Sequence, residues 1–359
     1  LEKFAEILPS KYVLLDWIDK DKLDWELLSK NPNAIDLLKE NQDKIDWINL
    51  SINPNAIDLL KENQDKIDWI NLSINPNAID LLKDKIKYEK SLTDSQFSRL
   101  ENYQKINWED LSSNPNAIEL LTNNQDKIDW EHLSKNRNAI DLLKERIKYE
   151  KSLTNEELDE LENKINWRWL SLNQNAINLL KANPNKIIWR LLSKNRNAID
   201  LLKERIKYEN SLTKEEYNDL DLKDRLNWNN LSLNPNAINL LEERIKYEKS
   251  LTDAQLDQLK NKIDWDYLST NSNAIKLLKK NQDKIKWDYL SENPNAINLL
   301  EDRIKYEKSL TDAQLDQLKN KINWYWLSKN SNAINLLKKN QDKIKWDYLS
   351  ENPAIFKAV

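Results

Sequence analysis

KIDWINLSINPNAIDLLKENQDKIDW, residues 44–69, holds the phrase Asn53-Pro54-Asn55-Ala56-Ile57-Asp58-Leu59-Leu60 between two copies of Lys-Ile-Asp-Trp, and near copies of both return along the whole chain. A chain that re-uses one short unit in register is a stacked array, so this stretch decides the fold class. The frame Lys/Arg-Ile/Leu-x-Trp-x-x-Leu-Ser places its Trp at Trp25, Trp47, Trp69, Trp108, Trp130, Trp167, Trp189, Trp228, Trp265, Trp287, Trp324 and Trp346. Successive gaps are either 22 or 37 to 39 residues, so a short unit and a long unit differ by an insertion of 15 to 17 residues. The two kinds alternate over much of the chain, although Trp189 and Trp228 both open long units.

Each short unit reads as a helical hairpin. Asn53 is placed to cap a helix whose first position is Pro54, where a missing N–H costs nothing. Asn63 is expected to end that helix in the left-handed conformation, because the chain contains no glycine and Asn is the next best residue for it. The second helix is expected to open at Asp65, with Asp68 three residues on, both acids favoured by the helix dipole. Ile67, Trp69 and Leu72 are its apolar residues.

Long units continue through the terminating Asn, as in Ala237–Leu251. Ile238, Leu241 and Ile245 form one apolar stripe, and Leu240, Tyr247 and Leu251 a second beside it. Such a broad face needs cover, expected from the inserted helix that follows. Each insertion opens with a capping-box pair: Thr93 with Gln96, Thr154 with Glu157, Thr213 with Glu216, Thr252 with Gln255, and Thr311 with Gln314. No stretch alternates with period two. The expected fold is an all-α solenoid of about twelve units and about 25 to 30 helices, with the recurring Trp as its packing centre and about 3 to 5 kcal/mol lost on truncating a buried one. Residues 1–24 lack the repeat phrase and read as an N-terminal cap containing Phe4, Ile7 and Leu8; residues 25–359 are the array, ending in the abbreviated Asn352-Pro353-Ala354-Ile355-Phe356. Opening on Leu1 rather than Met suggests one piece of something longer.

Composition narrows the chemistry. Without Gly there is no phosphate-cradling loop, dinucleotide fingerprint or usual nucleophile elbow. Without Cys and with His132 as the lone imidazole, no thiol nucleophile, zinc site or disulfide framework is expected. No catalytic, cofactor-binding or metal-binding residues are assigned. The absence of Cys fits a reducing compartment. The 56 basic and 60 acidic residues are interspersed, for a net charge of −4, which disfavours nucleic acid as a partner. No apolar run approaches the roughly 20 residues that span a bilayer, and no secretory signal pattern opens the chain. Acid pairs such as Asp65 with Asp68 recur at equivalent helix starts, where capping explains them better than acid–base catalysis. Asn-Leu-Ser at Asn49, Asn71 and Asn230 matches a glycosylation pattern whose Ser already belongs to the frame.

Variation inside the frame is concentrated at the second residue after each Trp, where aromatics gather in the second half: Trp169, Tyr267, Tyr289, Trp326 and Tyr348. Ile52, Ile74, Leu172 and Leu233 stand after the Leu-Ser where other units carry Lys or Glu. These side chains either pack between units or form a discontinuous ladder of protein-binding anchors. Stacking on single-stranded nucleic acid or on sugar rings is the weaker alternative.

The phrases KIDWINLSINPNAIDLLKENQDKIDW (44–69), RIKYEKSLTDAQLDQLKNKINW (303–324) and LSENPAIF (349–356) resemble the Asn-rich, Trp-containing repeat proteins encoded in large numbers by giant DNA viruses of protists, and the likeness covers nearly the whole chain after residue 12. The resemblance implies a viral repeat scaffold, in the host cytoplasm or virion rather than secreted, and carries over no catalytic residue. The function expected is a non-enzymatic protein-interaction scaffold. The alternative is an assembly component that stacks on itself or on a capsid-associated protein through an uncapped last repeat, Ala354 to Val359.

Overall fold

The computed structural model describes residues 11–259 and 261–359. Phe4, Ile7 and Leu8 of the expected cap lie outside the described residues. The chain is an all-α solenoid-like array of 28 short helices in a repeated pattern, with one two-stranded sheet as its only β-structure among the described residues. It divides into two compact units, one formed by residues up to Asp110 together with Asn323–Val359, the other by Leu111–Ile322.

The helix that carries each frame Trp begins at the Trp itself, as in Trp47–Ile52 and Trp69–Ser73. Asp68, expected inside that helix, is its N-cap, and its carboxylate accepts the Asn71 N–H at 2.8 Å. Gln64–Lys66 forms a separate 3-10 turn, so the helix expected from Asp65 is split. The helix of the Asn-Pro phrase starts at Ile57 with no side-chain cap, and Asn53 does not cap it. Asn53 instead folds the Asn-Pro-Asn-Ala turn: its side-chain oxygen accepts the Asn55 N–H at 3.1 Å and its carbonyl accepts the Ala56 N–H at 3.1 Å. Asn63 ends the helix at φ −134°, its amide reaching back to the Leu59 carbonyl at 2.9 Å. No described residue has positive φ. A glycine-free chain thus terminates its short phrase helices with side-chain amides rather than with left-handed backbone.

The core is a column of small and aliphatic side chains. The frame Leu, the following Ser, the first Asn and the Ala of the phrase are buried, as in Leu50, Ser51, Asn53 and Ala56 or Leu192, Ser193, Asn195 and Ala198. The tryptophans are not its centre. Only Trp69 and Trp228 are buried; the other ten frame indoles are half-covered at its margin, several under a cation such as Lys66 over Trp47 at 4.6 Å.

Buried amides hold one repeat to the next. Asn195 donates both amide hydrogens backward, to the Ser171 and Asn173 carbonyls at 3.0 Å each, and Asn234 repeats this on Ser193 and Asn195 at 3.1 and 3.0 Å. The Ser hydroxyl completes the joint. Ser171 Oγ donates to the Trp167 carbonyl at 2.8 Å and accepts the Ile188 N–H of the next repeat at 3.0 Å. In the first unit the same joint links the earliest repeat to the last. Asn31 donates to the Ser350 and Asn352 carbonyls at 2.9 and 3.1 Å, and Ser350 Oγ accepts the Asp24 N–H at 2.8 Å. β1 (Tyr12–Leu14) pairs antiparallel with β2 (Phe356–Ala358), Leu14 facing Phe356. The segment expected to be an uncapped end is therefore covered by the chain's own N-terminal strand.

Long units carry helices of 12 or 13 residues, among them Ile199–Ser211, Ile238–Ser250 and Ile297–Lys308. All five Thr capping boxes form. The inserted helices have no fully buried residue of their own, and Leu158, Tyr217, Leu256 and Leu315 on four of them are half-buried. Of the expected second stripe, Leu240 is buried, whereas Tyr247 is 48% exposed beneath the Arg244 guanidinium.

Candidate binding face

Within the repeat, Trp265, Leu268 and Ser269 point one way while Tyr267 and Thr270, three residues apart on the same short helix, point the other. Thr270 Oγ1 donates to the Tyr267 carbonyl at 2.9 Å. The second Asn of each phrase adds a third position to this face. Asn236, Asn273 and Asn295 donate to the carbonyls of Arg196, Pro235 and Ser272 at 2.9, 2.9 and 3.0 Å, which sets the middle residues of successive Asn-x-Asn turns in a row. Three variable positions of the frame therefore meet. In the second unit they line a groove of about 510 Å³ whose walls include Tyr267, Tyr289, Leu233, Pro235, Pro294 and Glu292.

The five aromatics of the sequence ladder are divided between the two units. Trp169, Tyr267 and Tyr289 belong to the second unit and Trp326 and Tyr348 to the first. Tyr267 and Tyr289 share the groove, exposed by 38% and 39%. Trp169 lies under the Lys135 ammonium, 4.2 Å from its ring. Tyr348 stacks on Tyr325 with ring centroids 3.7 Å apart and a hydroxyl–hydroxyl hydrogen bond, and Trp326 meets the edge of Tyr325 at 6.2 Å. That hydrogen bond, reinforced by desolvation and nearby carboxylates, pushes the Tyr348 phenol up to about 12. Tyr289 is also raised, first by the negative charge of Asp266. Ile52 and Ile74 are exposed, and Leu172 and Leu233 are half-buried.

His132 is half-buried, and its imidazole has a local partner. Its Nδ1 lies 3.0 Å from Asp129 Oδ1, the oxygen that also accepts the His132 N–H as helix cap. Asn49 is buried with its amide on the Glu26 carbonyl at 3.2 Å, and Asn230 donates to the Arg190 carbonyl at 2.7 Å, so both side chains are engaged in repeat contacts rather than presented as glycan acceptors. Among the described residues no helix is long and apolar enough to cross a membrane.

The phrase Arg-Ile-Lys-Tyr-Glu stands out in the sequence without revealing its role; its cation stands sixteen residues after a frame Trp in every long unit, with Lys85 in place of Arg in the first. Arg244 lies between Trp228 and Tyr247, 4.8 and 5.0 Å from the rings, pairs with Glu248 at 3.0 Å, and donates to the Asn261 carbonyl at 2.7 Å. Glu248 in turn accepts the Ile263 N–H of the next repeat at 2.9 Å. This device ties the long helix to the next repeat, and its constant spacing from the Trp was the available signal. A cleft of about 910 Å³ lies where two long units follow each other and is lined by Arg190, Tyr217, Leu222, Arg225 and Trp228 among others. Arg225 there is engaged with the Leu220 and Asn218 carbonyls.

Comparison with protein-family models, with characterised proteins and with solved structures found no match.

Proposed function

We propose that this chain is a non-enzymatic interaction scaffold that holds a protein partner on the face carrying Tyr267 and Tyr289. One observation carries the reading: the constant polar groups of the frame are engaged in repeat-to-repeat bonds, whereas its variable positions gather on one face and line a groove. Repeat arrays bind by spreading contacts over such faces, with exposed aromatic side chains as anchors. The resemblance of its phrases to giant-virus repeat proteins supports a viral origin. The self-stacking alternative rested on an uncapped last repeat, and Phe356–Ala358 is paired with Tyr12–Leu14 instead.

Affinity capture from a native lysate, run with the wild-type chain and with the Tyr267→Ala, Tyr289→Ala double variant, tests the reading. Loss of a specific partner from the variant, with an unchanged circular dichroism spectrum, is the expected result. Identical partner sets from both proteins would remove this face as the binding surface.

A further inference from the structure

The two stretches 284–294 and 343–353 are identical, KIKWDYLSENP, so Tyr289 with Glu292 and Tyr348 with Glu351 are the same aromatic and carboxylate presented by two different repeats. They differ in what the preceding repeat brings to them. Beside Tyr348 stands Lys329, which follows the Leu-Ser of the preceding repeat; its Nζ is 2.7 Å from Glu351 and 5.2 Å from the Tyr348 ring. A lysine in that frame position recurs in the second unit, where Lys135 covers Trp169. Beside Tyr289 the equivalent residue is Thr270, and beside Tyr267 it is Leu233. Neither tyrosine ring carries a cation among the described residues, and Glu292 has no ion-pair partner there.

We infer that Tyr289 and Glu292, with Tyr267 beside them, form a receptor for a lysine side chain of a partner protein, which takes the place that Lys329 fills at Tyr348 and Glu351. The inference rests on the scaffold reading and names the chemistry of its partner. An ammonium over a phenol face gains from the ring quadrupole, and a carboxylate at its edge supplies the charge. The surroundings have the matching sign. Asp264, Asp266 and Asp288 all act on the Tyr289 phenol and raise its pKa. Lys286 offsets Asp266 at 3.6 Å, and Arg196 is the one cation among the groove's lining residues. With Glu292, four acids stand against two bases, which favours a cationic ligand.

The test uses the full chain with ¹³C-labelled tyrosine, the Tyr289 ring signal being identified by its disappearance in Tyr289→Phe. The probe is a blocked serine peptide with one central lysine, and its control carries norleucine in that place. The lysine peptide is expected to shift the Tyr289 signal and the norleucine peptide to leave it. Glu292→Gln should weaken the response by about three- to tenfold. Thr270→Lys installs the internal lysine and should suppress it; Lys329→Thr should open a second site at Tyr348. No shift, an equal shift with norleucine, or a response that persists in Thr270→Lys would overturn the inference. Capture of a partner that depends on Tyr267 and Tyr289 but is indifferent to Thr270→Lys would overturn the lysine assignment alone. Lysine binding without any partner dependent on this face would overturn the scaffold reading alone.

Discussion

Asn195 shows what a single frame residue does. Its carboxamide is 1% exposed, donates to two carbonyls of the preceding repeat, and accepts the Asn197 N–H at 3.0 Å. One amide thus holds a turn and a joint together. Replacing it by Ala removes two buried hydrogen bonds, the Asn173 carbonyl keeping only the Ala176 N–H, so Asn195→Ala should lower stability by about 2 to 3 kcal/mol. Asn195→Asp should cost more, since a carboxylate would face those same carbonyls. Asn197 is exposed and makes one such bond, to the Gln174 carbonyl at 2.9 Å, so Asn197→Ala should cost only about 0.5 to 1 kcal/mol. Urea titration of the three variants checks the order. At the equivalent Asn53 the sequence suggests a helix cap, which needs only neighbours in the chain, whereas the carbonyls that Asn195 meets lie 22 and 24 residues away.

Elements follow their local signals where their partners are local. The Thr capping boxes form as read because both partners lie within three residues, and Asp68 caps its helix for the same reason. Beyond the inserted helices, the stacked Arg, Tyr and Glu of each long helix add bonds to the next repeat that no local signal announces. Lys85 is the one departure from Arg in this device. Burial holds its ammonium below the usual lysine range and holds the Glu89 carboxyl above the usual carboxylate range, so both resist charging. Arg at this position would add the fork geometry present in the other four units. Lys85→Arg is expected to raise stability by about 1 kcal/mol, read from a shift of the urea midpoint. The Tyr325–Tyr348 pair is the other element-level device. A phenol raised to about 12 binds its proton more tightly in the folded chain, so its contribution is complete below the unfolded value near 10 and is lost as pH rises toward 12. Alkaline difference absorbance should show a late-titrating component from Tyr348, which Tyr325→Phe returns toward the ordinary range.

At the scale of the whole molecule, the joint between the first and last repeats places Tyr12 opposite Ala358, between the flanking bonds from Leu15 N–H to the Ile355 carbonyl and from Val359 N–H to the Lys11 carbonyl. The chain has no cysteine of its own, so Tyr12→Cys with Ala358→Cys gives a clean probe. The pair should oxidise within one chain and raise the melting temperature relative to the reduced form, with a chain-entropy limit on the order of 5 kcal/mol for so long a loop. Disulfide-linked dimers under dilute oxidation would show instead that the strands do not meet within one molecule. Repetition, helix punctuation and the absence of Gly were enough to determine the repeat unit, its length classes and the all-α solenoid, because each follows from contacts within a turn or two of chain. The clasp of β1 on β2, the backward reach of the frame Asn, the marginal place of the tryptophans and the pairing of Tyr267 with Tyr289 were decided only by the tertiary structure. Each brings together groups far apart in the chain, and neither spacing nor composition specifies where such groups meet.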